Sequence, residues 1–458
     1  MKQRTISMTS GPLGRNILVF SLPLMLSNIL QVLFNMSDIA VVGRFAGPVP
    51  LGSVGSCAIL VSLFTGLLIG MGSGINAITA RYVGAKDAIS LQKTVHAAFL
   101  ISLLYGLVIM VLGMLIAKPL LLALHTKQEL LPGAVRYLTV YLCGTPALAL
   151  YNFGNGVLSA AGDSKRPLYY LLFAGVLNIA LNLFFVIVCQ LSVLGVALAS
   201  AISQYLSAGL ILLRLATCRL DYGLRRSAMR LDRAAARQIL LLGLPAAMQN
   251  AIFALANLFI QAAVNSFDTL MVEGNSAAAN ADTLIYDMMA AVYVACTSFI
   301  AQNYGAGNRE RIRKTYLLCT LFSFCFAALA GVLLKLFSSA FLSLFTDDAA
   351  VIAAGQKRLG IMCWSYCVSA FMDCTIAASR GLGKTIVPTV MVILGSCVFR
   401  IIWVYTVFAH FHTIASLYLL YVCSWTITAS AEILYFVSLY RKTFPRERIS
   451  APQTGANA

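Results

Sequence analysis

Residues 17–38 read ILVFSLPLMLSNILQVLFNMSD, and residues 239–260 read ILLLGLPAAMQNAIFALANLFI. Ile17, Leu18, Leu22, Pro23, Asn28 and Asn35 of the first stretch recur as Ile239, Leu240, Leu244, Pro245, Asn250 and Asn257 of the second, an offset of 222 residues. Each stretch is apolar for about 20 residues, the length a helix needs to cross a ~30 Å hydrocarbon core. The chain therefore reads as a membrane protein built from a repeat. The one charged residue in either stretch is Asp38, which aligns with Ile260 in the second copy.

Working outward, the repeat continues at an offset of 221. Gly84-Ala85 and Lys93-Thr94 recur as Gly305-Ala306 and Lys314-Thr315, and Gly162 and Pro167 recur as Gly383 and Pro388. Hydropathy places twelve spans at 15–43, 51–76, 94–117, 132–158, 167–189, 193–215, 238–264, 276–300, 316–338, 357–379, 387–409 and 414–438. These runs are apolar on every face, whereas barrel strands alternate, so the expected fold is an all-α polytopic bundle. Six spans per copy give both copies the same orientation. The repeat is thus parallel: two six-helix lobes related by a pseudo-two-fold axis along the membrane normal, with a substrate cavity expected between them. The expected organisation is an N-lobe over 1–218, a basic linker over 219–237, a C-lobe over 238–440 and a tail over 441–458.

The composition agrees. Of 458 residues, 60% are hydrophobic and 11% charged, far from the roughly 25% charged of a soluble protein. The net charge of +17 would suggest a nucleic-acid partner in a soluble chain. Here the bases sort by loop instead: Lys2, Arg4, Arg15, Arg81, Lys86, Lys93, Lys165 and Arg166, the linker arginines, Arg309 to Lys314, Arg380, Lys384, and Arg441 to Arg448 all fall on one side. By the positive-inside rule that side is cytoplasmic, as are both termini, and no nucleic-acid partner is needed. The basic N-terminus runs into a full span without a small-residue cleavage site, so it does not read as a removable signal. The twelve cysteines show no metal or disulfide framework, and Cys363 and Cys367 read as packing residues.

Five acids fall within spans or at their edges: Asp38, Asp282, Asp287, Asp373 and Glu432. A charge there is costly, which makes each a functional-site candidate. Asp38 is the sharpest, because the repeat tolerates an apolar residue at its position. Burial disfavours the ionised form of a carboxylate, so such a group exchanges a proton near neutrality or binds a cation. Asn178 and Asn182, four apart, share a helix face, and Ser200 in the next span offers a hydroxyl. With Asp38 they make an oxygen-rich set suited to a proton or a small hard cation, although Asn and Ser in spans also serve as interhelical glue. Pro23, fifteen residues before Asp38, is a candidate hinge. Gly66, Gly70 and Gly74 form a face for close helix packing. Gly383-Lys384-Thr385 has the end of a phosphate loop, but Ala378 stands where its first glycine belongs, so no nucleotide is expected and an ion gradient is the energy source.

Pro23, Gln31, Asn35, Asp38 and Gly43, the turns Arg81-Tyr82-Val83-Gly84-Ala85 and Gln302-Asn303-Tyr304-Gly305-Ala306-Gly307, and Ala160-Ala161-Gly162-Asp163-Ser164 resemble the multidrug and toxic compound extrusion (MATE) family over nearly the whole chain. The resemblance implies a V-shaped pair of lobes in the cell (inner) membrane that exports cationic amphipathic organic compounds in exchange for protons or sodium. Asp38 then matches an N-lobe ion-coupling acid, with Asn178, Asn182 and Ser200 beside it, and Gln31, Asn35, Asn152, Asn155 and Gln204 fall where the N-lobe cavity is lined. Many relatives carry a second carboxylate at the Asn182 position; its loss favours protons over sodium. A glutamate that some relatives carry on span seven is missing at Ala251-Ile252-Phe253. Asp287 matches a carboxylate of other relatives and marks a possible C-lobe site. Asp373 sits where the first lobe has Asn152, with a salt bridge or a helix-end role as the alternative. No organic cofactor or resident metal is expected, and no oligomer is indicated, so a monomer among membrane lipids is. The rivals are a lipid-linked-sugar flippase, which would need several cavity cations where Arg400 is the clearest, and a membrane enzyme, for which no metal cluster or catalytic triad is present.

Overall fold

The structure, a computed structural model, describes residues 6–445; Lys2, Arg4, Arg446 and Arg448 and most of the 441–458 tail lie outside them. Among the described residues there are helices and no strands. Eleven helices are long and apolar enough to cross a membrane: α1 (Leu13–Phe45), α2 (Pro48–Ala85), α3 (Ala88–Ala123), α6 (Lys165–Val188), α7 (Ser192–Ala216), α8 (Arg233–Val264), α9 (Thr269–Gly305), α10 (Arg309–Leu336), α12 (Ala349–Gly381), α13 (Ile386–Phe411) and α14 (Ile414–Thr443). The expected fourth span, 132–158, is instead two helices, α4 (Leu131–Leu142) and α5 (Thr145–Ala160), while α11 (Ser338–Leu342) is a short turn. Pro146 in the first turn of α5 has no N–H to continue α4, and the Thr145 hydroxyl takes over the Leu142 carbonyl at 2.8 Å. Two broken pieces thus stand where the fourth span is expected.

Several helices outrun the hydrophobic spans. α9 begins at Thr269, capped by Asp268 accepting from the Met271 N–H at 2.9 Å, so Glu273, which precedes the expected span 276–300, lies inside a helix. Asp87, Asp232 and Asn308 cap α3, α8 and α10 in the same way. Loop Asp and Asn side chains thus hold helix ends.

The lobes, α1–α7 and α8–α14, meet through contacts of which the closest obey the repeat. Asn28 Nδ2 on α1 donates to the carbonyl of Asp287 on α9 at 2.7 Å, and Asn250 Nδ2 on α8 donates to the carbonyl of Gly66 on α2 at 3.0 Å. Asn250 is the repeat of Asn28, and Asp287 that of Gly66. A Cβ on Gly84 would stand 1.9 Å from the Gln302 carbonyl oxygen, and one on Gly305 would stand 2.0 Å from that of Arg81, again exchanging repeat partners. This is the reciprocal pattern of a two-fold interface. The glycine face of α2 lies here too: Gly74 touches Gly243 of α8, where a Cβ would come 2.4 Å from its Cα. Packing at this distance is open only to glycine.

All hydrogen bonds between the lobes among the described residues fall in the halves of these helices next to the basic loops. They run from Asn28 and Gly66 at mid-helix to Gln302 Nε2 on the Ala160 carbonyl (2.6 Å) and Arg311 on the carbonyls of Met8 and Ser10. The lobes are fastened at the basic end and not beyond mid-helix.

Candidate functional site

Asp38 lies on the unfastened part of α1, about 15 Å beyond Asn28 at 1.5 Å per residue. Its side chain turns into its own lobe, against α6 and α7. Asn182 Nδ2 donates to Asp38 Oδ1 at 2.5 Å, Ser200 Oγ donates to Oδ2 at 3.0 Å, Asn182 Nδ2 also reaches Asn178 Oδ1 at 3.1 Å, and Asn178 Nδ2 closes the ring on Ser200 Oγ at 3.4 Å. Asn178 and Asn182 point the same way because they are one helical turn apart. All four side chains are buried; Asn182 is 0% exposed. The two donations from Asn182 Nδ2 fix its amide orientation, and its Oδ1 is left with no hydrogen-bond partner.

The electrostatics of this ring are simple. None of the four ion pairs among the described residues includes Asp38, so one carboxylate sits in the core with only neutral amide and hydroxyl partners. A buried acid without a cation holds a proton or waits for a positive ion. Ser200 suits either state, because a hydroxyl donates to an ionised carboxylate and accepts from a protonated one.

The other sequence candidates lie outside the ring. Gln31 and Asn35 are exposed on α1. Asn152 donates to the Leu148 carbonyl one turn back (2.9 Å) and backs onto Gly72 of α2, while Asn155 Oδ1 accepts from Ser159 at 3.3 Å. Gln204 on α7 keeps a buried Oε1 without a partner. Asp287 is half-buried and contributes its backbone carbonyl to the lobe interface, and Asp373 on α12 is buried and accepts from Ser369 Oγ at 2.8 Å. No base lies within ion-pair distance of Asp373 among the described residues, and Arg380 and Arg400 act on it from farther off. Pro23 lies within α1 in the fastened half, its carbonyl taken by Ser27 Oγ at 2.9 Å.

Sequence reasoning missed a C-lobe network. Arg358 of α12 pairs with Asp282 of α9 and donates to Asn275; Tyr366 donates to Asp282 and Tyr418 to Asn275. Arg380, read as a loop base, lies inside α12 with Nη1 on Ser73 Oγ of the other lobe at 2.9 Å. Glu432 is 0% exposed with neither carboxyl oxygen bonded. No group of three or more His, Cys, Asp or Glu side chains able to hold a metal occurs among the described residues.

The MatE family model matches the chain twice, over residues 23–184 and 245–406, and the two matches are themselves 222 residues apart. The chain belongs to the MATE family of membrane transporters. It is 28% identical to the probable multidrug resistance protein YpnP of Bacillus subtilis over 78% of this chain and 80% of that one, and 26% identical to an FAD transporter of Shewanella oneidensis over 77% and 78%. The outward-facing conformation of a multidrug resistance MATE family transporter of the MOP superfamily superposes with a TM-score of 0.90 at 22% identity, covering 97% of this chain and 99% of that one. The multi-pass membrane architecture of two helical lobes is thus that of the family.

Proposed function

We propose that this MATE protein is a proton-coupled antiporter that exports cationic amphipathic organic compounds by alternating access, with Asp38 as the coupling acid. The observation that carries the reading is the buried Asp38 carboxylate, held by Asn182 and Ser200 and paired with no base among the described residues. One carboxylate is neutralised by a proton or by a cation, not by both, and that competition is the exchange an antiporter needs. Asn182 supplies an amide where a second acid would add charge for sodium, so the ring favours the proton. Family membership does not set the charge of the cargo, since one relative is an FAD transporter; the acid in this chain's N-lobe is what favours cations. Gln31, Asn35, Asn152, Asn155 and Gln204 line the route to that lobe.

The basic end is cytoplasmic by the positive-inside rule. Fastening of the lobes there corresponds to a cleft that opens outward. Protonation of Asp38 from outside removes its charge, releases the cation and allows α1 to bend at Pro23, so that the lobes unfasten toward the cytoplasm. The ion gradient supplies the energy, with no nucleotide and no resident metal.

The test is Asp38→Asn, which keeps the shape and removes the titratable group. In proteoliposomes with a pH gradient and no sodium, the wild type drives ethidium export and the variant falls to the leak rate while eluting as a folded protein. Undiminished export by Asp38→Asn overturns the assignment, and strict sodium dependence of the wild type overturns the proton.

A further inference from the structure

The C-lobe holds a counterpart of the Asp38 ring with the charge reversed. Along α13 the backbone passes through a π-helical turn at Ile393–Val398 where the equivalent stretch of α6 is α-helical, the π turn of α6 at Phe184–Val188 matching a second one in α13 at Val404–Phe408; such a turn inserts one residue. The offset accordingly steps from 221 at Pro167/Pro388 to 222 at the end of the family match, 184/406. At an offset of 222 Asn178 corresponds to Arg400 and Asp38 to Ile260, and at 221 Ser200 corresponds to Tyr421. The candidate cavity residues Gln31 and Gln204 correspond, at the same two offsets, to Phe253 and Trp425.

These residues do come together. The Arg400 guanidinium lies 4.6 Å from the ring centre of Tyr421, 5.6 Å from Trp425 and 5.7 Å from Phe253, and its Nε donates to Ser424 Oγ at 3.3 Å. Arg400 is 3% exposed, Nη2 has no hydrogen-bond partner, and no carboxylate lies within ion-pair distance among the described residues. The Asp373 carboxylate acts on Arg400 only from beyond ion-pair distance, so the direct partners of the guanidinium are three aromatic faces and one hydroxyl, a set that leaves a buried charge short of compensation. The other fully buried arginine, Arg358, shows what a structural one looks like here, with Asp282 and Asn275 on its guanidinium. Phe253 and Tyr421 are only half-buried, so the aromatic box has an open rim.

We propose that Arg400, with Phe253, Tyr421 and Trp425, forms a C-lobe binding site for the anionic group of a planar aromatic compound, a carboxylate or a phosphate ester. The anion takes the free edge of the guanidinium and the aromatic ring stacks within the box. The site extends the export reading to aromatic anions and zwitterions, and rests on that reading only for the direction of transport.

The test uses Trp425 as reporter, in purified protein carrying Trp364→Phe and Trp403→Phe. Nitroaromatic rings quench tryptophan, so 4-nitrobenzoate and 4-nitrophenyl phosphate are titrated against neutral 4-nitrobenzyl alcohol. At least one anion binds about tenfold more tightly than the alcohol, the difference of one charge-assisted hydrogen bond. Arg400→Gln brings the ratio to about one, and Arg400→Lys keeps part of it. A ratio near one in the starting protein, or a preference that survives Arg400→Gln in monodisperse protein, overturns the site. Should Arg400→Gln not fold, the starting ratio and Arg400→Lys decide: a ratio unchanged in Arg400→Lys overturns the guanidinium's role. Asp38→Asn leaves these titrations unchanged, so failure of the coupling reading and failure of this one are distinguishable.

Discussion

The two lobes share a backbone plan and differ in where they put charge. In the N-lobe, one acid sits among Asn178, Asn182 and Ser200 with no base. In the C-lobe, the acid Asp282 is consumed by Arg358, while a base, Arg400, joins the acids Asp373 and Glu432 among the buried groups left without an ion pair. The halves that fasten the lobes are the reverse: there the repeat is kept at the closest contacts, Asn28 on Asp287 matching Asn250 on Gly66 and Gly84 on Gln302 matching Gly305 on Arg81. Symmetry is retained where two surfaces must fit each other in a reciprocal interface, and lost where a side chain has only its own lobe to satisfy. The mechanical half of the molecule is thus shared between the repeats, and the chemical half is private to each.

The largest effect is expected at the shared half. Gly84→Leu and Gly305→Leu each drive a side chain into a backbone carbonyl of the opposite lobe, which cannot yield. Each substitution abolishes export, by at least about 100-fold if closure is lost altogether. Cysteines introduced at the fastened end become reactive to a water-soluble maleimide that does not reach them in the parent. If only one of the two glycines matters, the interface is not reciprocal and the symmetry argument breaks.

Next comes the private chemistry of the C-lobe. Arg358→Met removes one partner of a buried pair and leaves Asp282 uncompensated, at a cost of about 3–5 kcal/mol. Thermal unfolding in detergent reads this as a much lower Tm. The double variant with Asp282→Leu recovers most of the loss, since a buried pair exchanged for apolar side chains is close to neutral. A double variant no better than the single would mean that Tyr366 and Asn275, not the charge, set the stability.

Much of this was legible in the chain. Span length and a constant offset are linear properties, so the twelve crossings and the two lobes could be read from residues 17–38 and their copy. The Asp38 ring was legible because two of its members are four residues apart on one helix and the acid itself breaks the repeat. What escaped depended on folding. Arg358 and Asp282 are 76 residues apart and belong to different helices, so no local pattern joins them. Arg380 has the look of a loop base because its charge follows an apolar run, yet α12 continues past it and it bridges to Ser73. The break between α4 and α5 was written in Gly144-Thr145-Pro146, and apolarity on both sides concealed it. The kinship of Arg400 with Asn178 was hidden by the one residue that the π-helical turn inserts.

The smallest effect is the most diagnostic for the N-lobe. Asn182→Asp places a second carboxylate beside Asp38 without changing side-chain size, and it replaces the amide that now donates at 2.5 Å with a group that only accepts when ionised. Two adjacent carboxylates cannot both stay charged in a buried site unless a cation or a proton lies between them. With Asn178 Oδ1 and Ser200 Oγ at hand, the altered ring supplies oxygen ligands and the charge a sodium ion requires. Export by this variant is therefore expected to remain within several-fold of the parent under a pH gradient and to gain a sodium-stimulated component, read as dye efflux in proteoliposomes with and without a sodium gradient. The C-lobe titrations should not move, because no member of this ring contributes to the Arg400 box. A variant that stays indifferent to sodium would mean that geometry, not the missing second charge, is what makes the parent ring a proton site.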